Sequence, residues 1–231
     1  LATWDLNLQT NEIIHSGRLA EIFGHDAAVK LSHVAMRIQV HPDDLHEVVQ
    51  KAFEEAMATS IYNYEARVVW HDTTIHWIKT QGKVLYSNAN IPLRLLGTTV
   101  DITQNKADEW EIARLAAIVL CSKDAIISEN MEGIITSWNE AAERMFGYGA
   151  DEIVGRSITT IIPPDRSGEE AEILEQIERG LPVYSFETQR IKKDGSLLDI
   201  SLTISPFKNV KGTITGASKI ARDITKQKQI E

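Results

Sequence analysis

The chain has 231 residues, 43% of them hydrophobic, with 33 Asp and Glu against 24 Lys and Arg for a formal charge of −9. That length suits two domains of about 100 residues, each able to bury a core of its own. No apolar run could span a bilayer, the acidic balance argues against nucleic acid and anionic membrane surfaces as direct partners, and the single cysteine, Cys121, rules out an intrachain disulfide or a cysteine-rich metal site. The chain begins at Leu1 without a signal peptide or initiator Met, so it reads as a cytoplasmic segment of a longer protein.

In chain order, residues 2–6 and 12–15 read as two short strands around a turn at 7–11. A short helix over 18–23 ends at Gly24, and a loop-rich stretch runs on to Val40. Pro42-Asp43-Asp44 opens a helix to about Met57, on which Leu45, Val48, Val49, Ala52, Phe53 and Ala56 recur at helical spacing. Three longer strands follow at 61–71, 74–86 and 92–101. In the first, Tyr62, Tyr64, Ala66, Val68 and Trp70 point one way and Asn63, Glu65 and Arg67 the other.

Asp101-Ile102-Thr103 ends this half and recurs as Asp223-Ile224-Thr225. Residues 104–124 read as a connecting helix, with the Thr103 hydroxyl as its N-cap. Trp110, Ala113, Ala117 and Leu120 form one apolar stripe, and Ile112, Leu115, Ala116 and Val119 a second. A helix apolar on most of its circumference needs more than one partner. One stripe is expected on its own domain and the other on a second copy of the chain; a connector buried between the two domains is the alternative.

The second half repeats the order. Strands at 125–128 and 134–138 flank a turn at 130–133, Asn139 caps a helix over 140–146, and Gly147 stops it. Pro163-Pro164 precedes a helix at about 166–179, and strands at 183–192 and 196–207 are joined by Asp194-Gly195, a strong hairpin signal. The last strand covers 213–223. Leu198, Ile200, Leu202 and Ile204 alternate with Asp199, Ser201 and Thr203, so each sheet is antiparallel with helices on one face. The repeat keeps register: an offset of 122 carries Asp101 to Asp223, Asp72 to Asp194 and His41-Pro42-Asp43-Asp44 to Pro163-Pro164-Asp165-Arg166, while 123 carries Phe23-Gly24 to Phe146-Gly147.

The segments Asp124-Ala125-Ile126-Ile127-Ser128, Gly133 to Asn139, Ala142 to Tyr148, Ile161 to Arg166, Lys193-Asp194-Gly195-Ser196 and Gly216 to Thr225 resemble the PAS domains of bacterial sensor histidine kinases. The first half is similar to a related PAS subclass through Trp4-Asp5, Leu19 to Gly24, His41-Pro42-Asp43-Asp44 and Trp77-Ile78. It departs where Asp72-Thr73 replaces the usual Asp-Gly, so a less regular hairpin is expected there. The resemblance implies an α+β chain of two PAS domains, each a five-stranded antiparallel sheet with short helices on one face: 1–103, a signalling helix at 104–124, 125–225, and the start of an output helix at 226–231. It also implies a sensory and relay module of a homodimeric two-component sensor histidine kinase, with a C-terminal kinase or other output domain as partner. Asp101, Thr103, Asp223 and Thr225 then mark where a shift leaves each domain.

Catalysis finds no support: there is no Gly-rich phosphate loop, no His-Glu-x-x-His and no Gly-x-Ser-x-Gly, and the pairs Asp43-Asp44, Glu54-Glu55 and Glu169-Glu170 read as solvated helix charge. All seven histidines lie in the first half, so a histidine-ligated haem in the second domain is excluded. His46, with Val49 and Phe53 on its helix, is the haem candidate in the first domain, although the spacing equally fits a histidine at the edge of a core. Trp138 and Asn139 are the candidates for a non-covalent flavin, with Trp70 and Trp77 as further tryptophans, while Cys121 lies in the joint and disfavours a flavin–cysteine adduct. The default expectation is no cofactor. A carboxylate ligand would need an inward cation; Arg67 faces away from the aromatic side and Arg190 is ambiguous. A ligand-free dimerisation spacer, its second interior filled by Trp138, Phe186, Leu198 and Ile200, is the remaining reading.

Overall fold

Strand alternation decides both sheets. In the computed structural model, which describes residues 1–229, β1 (Ala2–Asn7), β2 (Ile13–His15), β3 (Ile61–Val69), β4 (Ile75–Tyr86) and β5 (Pro92–Asp101) pair antiparallel in the order β2-β1-β5-β4-β3. β6 (Ala125–Asn130), β7 (Ile135–Trp138), β8 (Val183–Ile191), β9 (Leu197–Lys208) and β10 (Ile214–Asp223) repeat it as β7-β6-β10-β9-β8. The chain divides into two units, Leu1–Ile112 and Ala113–Glu231, each with its own hydrophobic core. The division falls within the expected connecting helix. Ile230 and Glu231, the end of the expected output helix, lie outside the described residues.

The helices cover one face of each sheet. In the first unit they are α1 (Gly17–Ile22), α2 (His33–Ile38), α3 (Pro42–Asp44), a π-helical stretch Leu45–Gln50 and α4 (Lys51–Thr59). α2 lies where the sequence suggested only loop: the Ser32 hydroxyl caps it by accepting from the Ala35 N–H at 3.1 Å. α5 (Thr103–Leu120) follows β5, and the second unit continues with α6 (Glu140–Phe146), α7 (Ala150–Ile153), 3-10 turns at Ile158–Ile161 and Pro164–Arg166, α8 (Glu169–Glu178) and α9 (Thr225–Lys228). No described helix is long and apolar enough to cross a membrane.

Two expectations are corrected. The hairpin at Asp72-Thr73 is regular: β3 and β4 stay in register from Ile61–Lys83 to Val69–Ile75, whereas the β8–β9 pairing shifts between Val183 and Phe186. Asp72 Oδ1 accepts from the Thr74 N–H and hydroxyl just as Asp194 Oδ1 does from Ser196, and Thr73 takes the left-handed conformation (φ 68°) that Gly195 takes without strain. The second correction concerns α5. No residue of it is buried, and Trp110 meets its own domain only edge-on at Trp77, the ring centroids 6.4 Å apart; Trp110, Ile112, Leu115, Ile118 and Leu120 are all more than half exposed.

Candidate ligand pocket and signal exits

In the first unit the inner face of the sheet carries aromatic and hydroxyl side chains, and between it and the helices lies a cavity of about 60 Å³. One water needs about 10–15 Å³ on this measure, so the space holds a small molecule. Trp4, Leu6, Tyr62, Tyr64, Thr80, Leu95 and Thr99 form its floor; Leu19, Phe23, His33, Met36, Arg37, Val40, Val49 and Phe53 line it from the helical side, and Ile13 closes it. Gly97 makes room for the Trp4 ring, since a Cβ there would lie 2.3 Å from Trp4 Cζ2. The indole Nε1–H donates to Thr99 Oγ1 at 3.0 Å, Thr99 and Thr80 hydroxyls meet at 3.0 Å, and the Tyr62 and Tyr64 rings pack edge-on, 5.1 Å apart. Burial holds the Tyr62 phenol far above its ordinary pKa, so it stays a neutral donor.

His33, Met36, Arg37 and Val40, spaced by three and four, turn one face of α2 and its extension to this cavity. Arg37 Nη2 donates to Gln50 Oε1 at 2.9 Å, and no lining residue is acidic. His33 Nδ1 lies 2.7 Å from Asn11 Oδ1; burial first, then the charge of Arg37, depresses its pKa. Sequence reasoning missed both residues because α2 was read as loop. The detectable signal was Ser32 followed by that spacing.

The expected cofactor residues lie elsewhere. His46 is exposed and does not line the cavity. It sits in the π-helical stretch, whose wider i→i+5 turn rotates it away from Val49, three residues on, which is buried on the cavity wall. Asn139 is buried with its amide fully used: Oδ1 accepts from the Ile126 and Ala142 N–H groups, and Nδ2 donates to the Val119 and Asp124 carbonyls. Trp138 is core, its Nε1 donating to the Tyr148 carbonyl at 3.1 Å. Neither side chain has a free polar atom to offer a flavin, and Cys121 is exposed at the end of α5. Trp70 Nε1 is taken by the Ile22 carbonyl, and the Trp77 ring lies under Lys106. The residues singled out for haem and flavin do not fit those groups.

The second interior is closed. A void of about 10 Å³, at the lower limit for one water, is lined by Phe146, Ile158, Ile200 and Leu202 among others. Charges are buried here instead. Lys219 Nζ lies 2.7 Å from Glu129 Oε1 and 2.6 Å from Glu170 Oε2, all three groups being inaccessible to solvent within a few percent. The Lys219–Glu129 contact is an ion pair without hydrogen-bond geometry: both Glu129 oxygens lack a hydrogen bond. Burial, against the opposing pull of Lys219, pushes the Glu129 pKa up to about 7. Arg190 resolves inward, bonding Glu169 Oε2 at 2.8 Å. Burial would raise the Glu169 carboxyl, but hydrogen bonds from Arg166, Thr188 and Arg190 outweigh it and lower its pKa. Arg67, by contrast, clasps Asp44 at the sheet edge, and that bond holds the Asp44 carboxyl low. Among the described residues no His, Cys, Asp and Glu group could hold a metal ion.

Both exits are pinned alike. Asp101 Oδ1 accepts from the Thr103 N–H and hydroxyl, so the carboxylate, not the threonine, caps this turn; the Thr103 oxygen accepts instead from the Trp77 N–H at 2.9 Å. At the second exit Asp223 Oδ1 accepts from the Thr225 N–H, and the Ile224 N–H donates to the Asp199 carbonyl. The next turn is tied to the outer strand in each copy, by Lys106–Glu65 at 2.9 Å and Lys228–Glu187 at 2.8 Å, residues again 122 apart.

A PAS fold model matches residues 12–99 and a PAS domain model residues 123–226. The sensor protein FixL of Bradyrhizobium diazoefficiens is 24% identical, across 100% of this chain and 47% of FixL. The probable diguanylate cyclase DgcE of Escherichia coli is 23% identical, across 100% of this chain and 21% of DgcE. A crystal structure of a PAS domain from Colwellia psychrerythraea is 26% identical and covers 50% of this chain and 98% of its own, with a TM-score of 0.46. The chain thus spans less than half the length of these two curated relatives.

Proposed function

The chain belongs to the PAS domain family, one copy in each half, and from that premise we propose that it is a non-catalytic, cytoplasmic sensory and relay module of a homodimeric sensor kinase. The observation that carries this reading is the matched pair of exits. β5 and β10 each run into a helix within two residues, and the joint is bonded to the neighbouring strand. With no slack loop, a displacement of the sheet moves the helix, and a coupling of about 1–3 kcal/mol suffices to bias two packings of that helix.

The first domain has the open interior and serves as the input, while the closed second domain passes the change on through α9 to an output domain. The second copy of the chain is placed on α5. Trp110, Ala113, Ala117 and Leu120 fall at 3-4-3 spacing on an uncovered helix, the pattern of a two-stranded coiled-coil seam. Light scattering across a dilution series tests it. A dimer mass that falls to a monomer mass in Trp110→Asp or Leu120→Asp is expected, because a carboxylate in the seam would be desolvated. Unchanged mass in both variants removes the seam.

A further inference from the structure

We propose that the cavity of the first domain is a binding site for a compact monocarboxylate of three or four carbons, held by Arg37. The inference deepens the sensory reading above and rests on it. In a chain of net charge −9, the cavity wall carries an arginine and a histidine and no carboxylate. Arg37 is half-buried, and its hydrogen bond is to the neutral amide of Gln50, which positions the guanidinium without neutralising it. A half-buried cation lacking a counter-charge is stabilised by an anion at the site, and the guanidinium fork matches a carboxylate.

The rest of the wall sets the ligand's other end. Apart from Arg37, the lining is apolar at Leu95, Val49, Phe23 and Phe53 and carries only neutral hydroxyls at Tyr62, Tyr64, Thr80 and Thr99; the one other basic side chain, His33, stands one turn before Arg37 on the same helix. A dicarboxylate would therefore bury an unpaired charge, and inorganic phosphate would leave the apolar wall unfilled. The volume of about 60 Å³ corresponds to about four to six non-hydrogen atoms at water packing, the size of propionate, butyrate, lactate or pyruvate.

The test is isothermal titration calorimetry of the 231-residue chain with butyrate and pyruvate, beside butyramide and succinate as controls. Binding of one monocarboxylate per chain is expected, with butyramide and succinate at least about tenfold weaker. Arg37→Gln should weaken binding by about ten- to a hundredfold, the loss of a charge-assisted hydrogen-bonded pair. Val49→Phe, which fills the cavity from a neighbouring helical stretch and keeps the arginine, should abolish binding while circular dichroism and melting show the fold intact. Equal affinity for butyramide, undiminished binding in Arg37→Gln, or no heat from either monocarboxylate in folded protein overturns the proposal. An unaltered dimer mass in the same samples would mean that the ligand assignment alone had failed; loss of the dimer as well would take the relay reading with it.

Discussion

Trp4 faces Gly97 across β1 and β5, and at the equivalent pairing of the second sheet Ile127 faces Lys219; two pairs further along, on the same face, Leu6 and Leu95 stand where Glu129 and Ala217 do. At the offset of 122, Tyr64, Thr80 and Thr99 become Phe186, Leu202 and Ala221. The first domain thus lays a flat indole over a glycine and lines its floor with hydroxyls, which leaves free space and polar atoms facing it. The second fills the same place with aliphatic side chains and the stem of a lysine, and satisfies the charge internally. One backbone supports either a vessel or a solid, and a few inward positions decide which. The solid interior suits a rigid relay and the hollow one an input.

The largest effect that would sharpen this contrast is expected from Lys219→Met. Removing the cation leaves Glu129 and Glu170 buried without it, and the second domain should lose about 3–5 kcal/mol in urea unfolding. The double change with Glu129→Gln should recover much of that loss. If Lys219→Met alone is neutral, the buried cluster does not hold the second interior together.

The two domains should also answer pH in opposite directions. Glu129 has a raised pKa when folded, so its contribution is full below about 4.5 and is lost as pH rises toward about 7. His33 has a lowered pKa, so its contribution is present above about 6.5 and is lost as pH falls below that. Hydrogen exchange resolved by domain, followed from pH 5 to pH 8, should show the second domain weakening by about 1–3 kcal/mol and the first strengthening slightly. Glu129→Gln should flatten the second trend; the same slope in both domains would break the comparison.

Filling the two interiors separates them again. Ile161→Phe, on the wall of the closed void, should overpack and cost about 1–3 kcal/mol, whereas Val49→Phe enters existing space and should cost less than half as much in thermal unfolding. The smallest effect concerns the exits. Lys106→Ala and Lys228→Ala should each leave global stability nearly unchanged, because both pairs are solvated. Their consequence should appear as faster hydrogen exchange in the first turn of α5 or α9, with the sheets unaffected.

Much of the fold was legible because it rests on local rules. Period-two alternation in β3 and β9, the Asp194-Gly195 turn and Asn139 as a cap each depend on residues a few positions apart. α2 was lost because a helix of six residues with one buried side chain leaves little periodicity to see. His46 failed for the reason that makes short helices hard to phase: the sequence does not show that the turn over 45–50 is π-helical, and the wider turn changes which residue faces inward.

The sequence by itself determined the duplication, the two antiparallel sheets and the repeated Asp-Ile-Thr exits. Only the tertiary structure decided which interior is open, that Arg37 and His33 border it, and that Glu129, Glu170 and Lys219 meet. Those three residues are joined by strand register and helix docking across 41, 49 and 90 positions of chain. Local propensity specifies an element and its faces, but a cavity is the difference between the volumes several distant faces bring to one place, and that sum exists only once they are packed.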